Sequence, residues 1–358
     1  MSNYHDQKEK ENIIHQRQLL ESLPDFCKSF FRSIEPRTTS KTRLAYAYDL
    51  QVFFRYLKDN NPEFNNREIT LNDLDNIKFM DIEEYMEYLK YYQVDIESSK
   101  AGKTYTKEKE VLNSNEGIKR KIASLRSFYN YYYKNELIKN NPASLVSMPK
   151  LRQKEIIRLE PDEVAKLLDL VESGDKLTEK EKKYHVLTKD RDMALLSLLL
   201  GTGIRVSECV GINITDIDFN TNAIKIKRKG GKEVFIYFSD EVEKYLNMYL
   251  NIRKQNLDVP DNDSDALFLS LQNKRMTTRS VENLVKKYAK VITPLKHITP
   301  HKLRSTYGTE LYKETGDIYL VADVLGHSDV NTTKKHYAAI EDDRRRSARN
   351  IVKLRTDE

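Results

Sequence analysis

Glycine and proline are scarce, at 11 and 9 of 358 residues, about 3% each where roughly 7% and 5% are usual. So few turn residues exclude a turn-rich β-barrel or sandwich and make helix the default. With 32% charged residues and a mean hydropathy of −0.69, no apolar run nears the ~20 residues of a membrane span. Met1 to Glu11 is polar and holds no apolar segment of the kind a secretory signal needs. Cys27 and Cys209 cannot build a disulfide framework and lack metal-ligand spacing. A reducing, cytoplasmic setting without a membrane partner is therefore expected. About 150 residues per domain predicts two domains. The net charge of +6 permits a polyanionic partner, but the halves before and after Glu155 carry 26 Lys+Arg against 23 Asp+Glu, then 35 against 32. Each half is thus +3, so any nucleic-acid footprint lies in local clusters.

Residues 1–35 read as a polar, helix-prone extension. Thr39 and Ser40 mark the start of a helix through Tyr56, with Leu44, Tyr48, Val52 and Leu57 on one face. Asp81 to Tyr92 reads as a second helical segment, and Lys100 to Lys109 as a basic, polar connection. Asn115 then opens a long helix in which Ile118, Ile122, Leu125, Tyr129 and Tyr132 recur at helical spacing. Its other faces carry Lys119, Arg120, Lys121 and Arg126, a solvated face unless a polyanion covers it. Pro142, Pro149, Lys150, Arg152, Lys154 and Arg158 mark a basic linker, ending where Glu160-Pro161-Asp162-Glu163 starts a new helix. Beyond it, Met193 to Leu200 forms a buried helix stopped by Gly201-Thr202-Gly203, with a short helix from Ile204. Residues 223–238 alternate as strands around Arg228-Lys229-Gly230-Gly231, a hairpin turn. Helices resume at Ser239, Thr278 and Pro300. The fold class is mainly α (α+β), with one small antiparallel sheet in the second domain.

Four short elements carry chemistry. They are Gly203-Ile204-Arg205-Val206-Ser207-Glu208, the hairpin with Lys229, Thr299-Pro300-His301-Lys302-Leu303-Arg304, and Leu325-Gly326-His327-Ser328 before Thr332 to Tyr337. Each alone is weak: an Arg after a Gly turn is usually a salt-bridge partner, and a hairpin Lys is usually solvated. His297 and His301 stand four apart, but Thr299 and Pro300 break any continuous helix between them, so no metal is assigned. Together the elements suit attack on a phosphodiester. Two guanidiniums match the charge gathering on its nonbridging oxygens, histidines add donors, and a lysine can protonate the departing oxygen. A tyrosine nucleophile stores the bond energy in a phosphotyrosine without cofactor or metal.

The order and content of these elements resemble the tyrosine recombinase (phage integrase) family across roughly residues 38–345. Thr42 to Leu57 (TRLAYAYDLQVFFRYL) is similar to that family's opening core-binding helix, and Ile118 to Ala143 to its closing helix and linker entry. Arg-Val-Ser-Glu, Lys-Gly-Gly-Lys, His-x-x-Arg and Leu-Gly-His-Ser before a tyrosine follow in family order. The resemblance implies that Arg205 and Arg304 clamp the scissile phosphate, Lys229 is the general acid, and His301 and His327 assist. Tyr337 would attack to give a 3′-phosphotyrosyl bond and a 5′-hydroxyl; Glu208 would orient Arg205.

It also implies a C-shaped DNA clamp, divided into an N-terminal extension (1–35), a helical core-binding domain (36–145), a linker (146–158), a catalytic domain (159–340) and a tail (341–358). The partner is a double-stranded DNA recombination site, with Lys119, Lys121, Arg126, Lys150 and Arg152 as candidate DNA contacts. Members act as homotetramers on two sites, the tail being the candidate protomer-exchange segment. A second recombinase or an accessory DNA-bending or activating protein is left open. The short N-terminal segment implies a simple Xer-type recombinase, serving chromosome-dimer resolution (chromosome partition) or a mobile element. The rival readings are a type IB topoisomerase-like enzyme and a catalytically silent DNA-binding protein.

Overall fold

A computed structural model describes residues 4–100, 103–151, 156–228, 231–255, 259–327 and 329–330, with the backbone alone across 95–100 and 103–107. The chain divides into two compact units, 2–153 and 154–358.

The first unit begins with α1 (Tyr4–Glu21) and α2 (Cys27–Ile34), followed by α3 (Ser40–Asn60). Where the sequence predicts a polar extension over 1–35, the structure places Cys27, Phe30, Phe31 and Ile34 in the core. The reason is their helical spacing, which gives α2 one apolar face despite the charges around it. α1 runs along α3 through polar contacts, Arg43 Nε donating to Gln16 Oε1 at 3.4 Å and Gln51 Nε2 to Ser22 Oγ at 3.1 Å. Thr39 caps α3, its hydroxyl accepting from Thr42 N at 3.2 Å.

After α4 (Leu71–Asn76), α5 (Phe79–Tyr88) ends earlier than the sequence predicts. The chain turns instead into a long antiparallel hairpin, β1 (Tyr91–Lys100) and β2 (Lys103–Leu112), with Tyr91 opposite Leu112 and Lys100 opposite Lys103. The expected basic connection over 100–109 is thus mostly strand. Tyr91, Tyr92, Val94, Ile96, Thr104, Thr106 and Val111 supply the β-favouring side chains. α6 (Asn115–Lys134), capped by Ser114, and the short α7 (Pro142–Leu145) complete the unit. Its core is aromatic. The Phe128 ring of α6 lies 5.2 Å from Phe30, 6.0 Å from Phe54 and 5.0 Å from Tyr132, edge to face in each case.

The second unit is built on α9 (Glu179–Thr202), which follows α8 (Pro161–Ser173). Met193 to Leu199 is buried on every side because α8, α11 and α13 all pack against this helix. α10 (Val206–Gly211) leads into a three-stranded antiparallel sheet in the order β3 (Ile217–Asp218), β4 (Ala223–Lys227), β5 (Glu233–Tyr237). α11 (Asp240–Lys254), α12 (Thr278–Ile292), α13 (Pro300–Thr315) and α14 (Ile318–Leu325) follow. α9 starts earlier than the apolar run alone indicates, since Thr178 caps it with Glu181 reaching back to Thr178 N at 3.0 Å.

A buried charge ties α9 to α12. Asp192, 0% exposed, accepts from Arg191 at 2.6 and 3.0 Å, Tyr288 OH at 2.8 Å, Thr188 Oγ1 at 3.1 Å and Lys287 Nζ at 3.3 Å. Burial first, then the Asp192 charge, push the Tyr288 phenol far above its ordinary value. Removing the carboxylate takes the acceptor from Lys287 and from the hydroxyls of Tyr288 and Thr188, and leaves Arg191 with Leu269 O. Asp192→Ala is expected to lower stability by about 3 kcal/mol, read as a lower urea midpoint at unchanged slope.

Candidate active site

α14 ends at Gly326, whose φ of 63° is left-handed. Gly326 N donates to Asp323 O at 2.8 Å and His327 N to Ala322 O at 2.9 Å, the paired bonds of a Schellman turn. Such a turn satisfies Ala322 O and Asp323 O and leaves the carbonyls of Val324, Leu325 and Gly326 open, at the negative end of the helix dipole. Guanidiniums from three other places in the unit bind them.

Arg304, one turn into α13, is 5% exposed. Its Nη2 donates to Leu325 O, and its Nη1 to Gly203 O at 2.6 Å. Gly203 closes α9 with φ 61°, and a Cβ there would run into the Tyr307 ring and Leu325. Glycine is what lets the end of α9 meet α13 and α14.

Arg205 caps the N-terminus of α10. Its Nη2 donates to Gly326 O at 2.9 Å and its Nη1 to Glu208 Oε1 at 2.8 Å. The other Glu208 oxygen accepts from Arg205 N at 2.8 Å, so one buried carboxylate fixes both the main chain and the side chain of Arg205. The Arg205 side chain keeps 36% of its surface exposed, enough to meet a ligand from the open side. Arg205 and Arg304 thereby hang from adjacent carbonyls, Gly326 O and Leu325 O.

The third guanidinium is Arg228, at the end of β4. Its Nη1 donates to Asp323 O at 3.1 Å and its Nη2 to Val324 O at 2.6 Å. Sequence alone does not single it out, because an Arg beside a Gly-Gly turn looks like any solvated cation. Nothing local in the sequence links it to a helix end 95 residues away.

His301 lies in the first turn of α13, exposed, three residues before Arg304 and so on the same helix face. His297 precedes Pro300, the first residue of α13, so the two histidines do not share a helix. His327 is half-buried just past the end of α14. Lys229, Tyr337 and Arg152 lie outside the described residues.

The remaining basic candidates belong to the first unit and divide in two. Lys119 and Lys150 are exposed. Lys121 and Arg126, expected as DNA contacts, are instead used internally. Lys121 is buried on the apolar side of α6, donates to Asn113 Oδ1 at 3.1 Å, and burial draws its ammonium below the ordinary value. Arg126 donates to Ala143 O at 2.8 Å and to Val146 O, capping the end of α7.

Residues 157–344 match the profile of the phage integrase family. The chain belongs to that family. It is 34% identical over 333 residues to tyrosine recombinase XerC of Caldanaerobacter subterraneus subsp. tengcongensis, covering 90% of this chain and 84% of that one. Tyrosine recombinase XerC of Leptospira interrogans is 31% identical, with 88% of each chain covered, and XerD of Oceanobacillus iheyensis is 29% identical, with 80% and 92% covered. The fold is similar to that of XerH site-specific recombinase in a post-cleavage complex with difH substrate, at TM-score 0.64, 20% identity, and 87% and 80% coverage. It is also similar to the Tn1549 transposon integrase in complex with circular intermediate DNA, at TM-score 0.62, 20% identity, and 91% and 100% coverage.

Glu208 holds Arg205 from behind. Glu208→Ala leaves Arg205 N without its acceptor and the guanidinium on a single described bond. The expected cost is about 2 kcal/mol, measured by denaturant unfolding.

Proposed function

We propose that the protein is a site-specific DNA recombinase that cuts and rejoins DNA through a 3′-phosphotyrosyl intermediate and a Holliday junction. The observation that carries this reading is the pair Arg205 and Arg304, fixed on neighbouring carbonyls of one helix end, in a chain of the phage integrase family. Two rigid forks on one platform match the geometry of a phosphate whose nonbridging oxygens gain charge.

In the proposed mechanism Arg205 and Arg304 hold the scissile phosphate, and His301 and His327 donate to its oxygens. The Tyr337 hydroxyl passes its proton to His301 or His327 as its oxygen attacks phosphorus, the bond to the 5′-oxygen breaks, and Lys229 gives its proton to that leaving oxygen. The products are a DNA 3′-phosphotyrosine and a free 5′-hydroxyl; the reverse sequence rejoins a strand. Neighbouring guanidiniums lower the cost of the dianionic transition state, and the covalent link conserves the phosphodiester energy for religation.

Residues 36–145 serve as the core-binding domain, 146–158 as linker and 159–340 as the catalytic domain of a C-shaped clamp around the duplex. Lys119, Lys150 and Arg152 are the basic groups offered to DNA phosphates; the internal bonds of Lys121 and Arg126 argue against using them so. A homotetramer on two sites, with the tail over 341–358 exchanged between protomers, completes the arrangement. A cytoplasmic Xer-type role, in chromosome-dimer resolution or on a mobile element, agrees with the XerC and XerD relatives. Among the described residues, no helix is long and apolar enough to cross a membrane.

On a nicked suicide DNA substrate, Tyr337→Phe is expected to abolish the covalent protein–DNA adduct while DNA affinity stays nearly unchanged. An adduct that persists moves the nucleophile to Tyr307, Tyr312 or Tyr319. Formation of Holliday junctions by the native protein separates recombination from simple relaxation of supercoils.

A second expectation divides the roles of Lys229 and Arg304. Replacing the bridging 5′-oxygen with sulfur gives a thiolate leaving group, whose parent acid in cysteine has a pKa of about 8.5, and such a group hardly needs a proton. Lys229→Ala is expected to cleave normal DNA at least ~100-fold more slowly and to be largely rescued by the 5′-thio substrate. Arg304→Ala is expected to be impaired on both, because sulfur leaves the nonbridging charge in place. Equal rescue of both variants, or of neither, transfers the acid role to Lys232 or His327.

A further inference from the structure

Arg228 does two things at once. Its main chain closes the base of the β4–β5 turn: Arg228 N donates to Lys232 O at 2.8 Å, and Arg228 O accepts from Gly231 N at 3.1 Å. Its side chain leaves the sheet and forks onto Asp323 O and Val324 O. Arg228 Nε is buried and finds no acceptor among the described residues, so the two terminal nitrogens hold the side chain in place.

The receiving surface is shaped for it. A Cβ at position 326 would lie on the Arg228 guanidinium. Gly326 therefore provides the left-handed turn and also the space into which the arginine fits. The cation sits at the negative end of the α14 dipole, where a positive charge is favoured. The same turn of backbone holds Arg304 through Leu325 O and Arg205 through Gly326 O. The hairpin and the two proposed phosphate-binding arginines thus share one mounting.

Arg228 is joined directly to Lys229, and consecutive Cα atoms are about 3.8 Å apart. Anchoring one residue bounds the reach of the next. A lysine on a Gly-Gly turn otherwise loses much conformational freedom on entering a site, and a general acid must sit within hydrogen-bond reach of the atom it protonates.

We propose that Arg228 is a positioning residue for the general acid: it docks the end of β4 on the C-terminal carbonyls of α14, the helix end that also holds Arg205 and Arg304, and so restrains the residue joined to it, Lys229. This rests on the proposed recombinase reading, in which Lys229 protonates the leaving 5′-oxygen. Arg228 itself touches no reacting atom. Its loss therefore damages proton delivery and leaves stabilisation of the nonbridging oxygens intact.

The test compares Arg228→Ala, Arg228→Lys and Lys229→Ala on suicide substrates with a normal or a sulfur-substituted 5′ bridge, in single-turnover cleavage. Arg228→Ala is expected to cleave normal DNA at least about tenfold more slowly than the native protein, a part of the 10²–10⁴ that general acid catalysis supplies. On 5′-thio DNA its deficit is expected to shrink to within about threefold, as for Lys229→Ala. Arg228→Lys keeps the charge but reaches one carbonyl at a time, so its rate on normal DNA is expected between those of Arg228→Ala and the native protein. Should Arg228→Ala not fold, as judged by thermal unfolding, Arg228→Lys carries the same comparison of substrates. Native-like cleavage of normal DNA by Arg228→Ala overturns the proposal. So does an equal deficit on both substrates, which would place Arg228 on the phosphate itself. Rescue of Lys229→Ala without rescue of Arg228→Ala sinks this inference alone. Failure to rescue Lys229→Ala sinks the parent assignment of the acid, and the role of Arg228 with it.

Discussion

The second unit depends on how the end of one short helix satisfies its carbonyls. α14 has eight residues, and its Schellman turn leaves oxygens that water would ordinarily claim. Here they accept from Arg205, Arg228 and Arg304, which arrive from α10, β4 and α13. Each bond is charge-assisted on the donor side and neutral on the acceptor side. The consequence is electrostatic. Carboxylates would orient the guanidiniums and also cancel their charge, whereas carbonyl dipoles orient them and leave the charge available. Glu208 is the exception, and it lies behind Arg205 rather than in front of it.

Other features of the unit serve to keep that helix end in place. Gly203 lets the end of α9 approach Tyr307 and Leu325 without a side chain between them. Thr306, on α13, accepts from Leu159 N at 3.0 Å, tying the segment that enters the unit to the helix that carries His301 and Arg304. Lys296 Nζ holds Glu163 at 2.6 Å, joining the start of α8 to the approach to α13. The Asp192 cluster locks α9 to α12 on another side of the central helix. Rigid elements hold groups to tighter tolerances than loops do, and Arg304 stands on such an element.

α3 is legible from Thr39, but its buried face is not: Tyr48 is exposed and Leu44 and Val52 are only half-buried, while the core takes Ala47, Leu50, Phe53 and Phe54. Elements with strong local signals are fully legible, α6 from Ile118 to Tyr132 and the β4–β5 pair from alternation around a Gly-Gly turn. The β1–β2 hairpin is not, because Ala101-Gly102 is outside the dipeptides that announce a tight turn and the charged run nearby looks like a connection. α2 is hidden for a similar reason: its four core residues sit inside a polar stretch. The internal bonds of Lys121 and Arg126 are not legible either, because a cation in a helix gives no sign of whether it faces solvent, a buried amide or the end of another helix. For the site, family order rather than periodicity placed Arg205 and Arg304 together, since Arg304 meets Gly203 across 101 residues of chain. Arg228 had no such guide, because its acceptors are main-chain atoms and leave no mark on residue identity.

That last property shapes how the protein tolerates mutation. Acceptors made of backbone are encoded by conformation, so positions 323 and 324 can change side chain and still offer the same oxygens as long as the helix persists, whereas Leu325 is fixed by its place in the core. The informational load of the mounting falls on Gly326, which must be left-handed and bare at the same time. Genetic drift is free to rewrite the outer face of α14 while the mounting beneath it stays the same, and a mutational scan of this helix would show permissive outer positions beside an intolerant Gly326 and the buried Val321, Ala322 and Leu325.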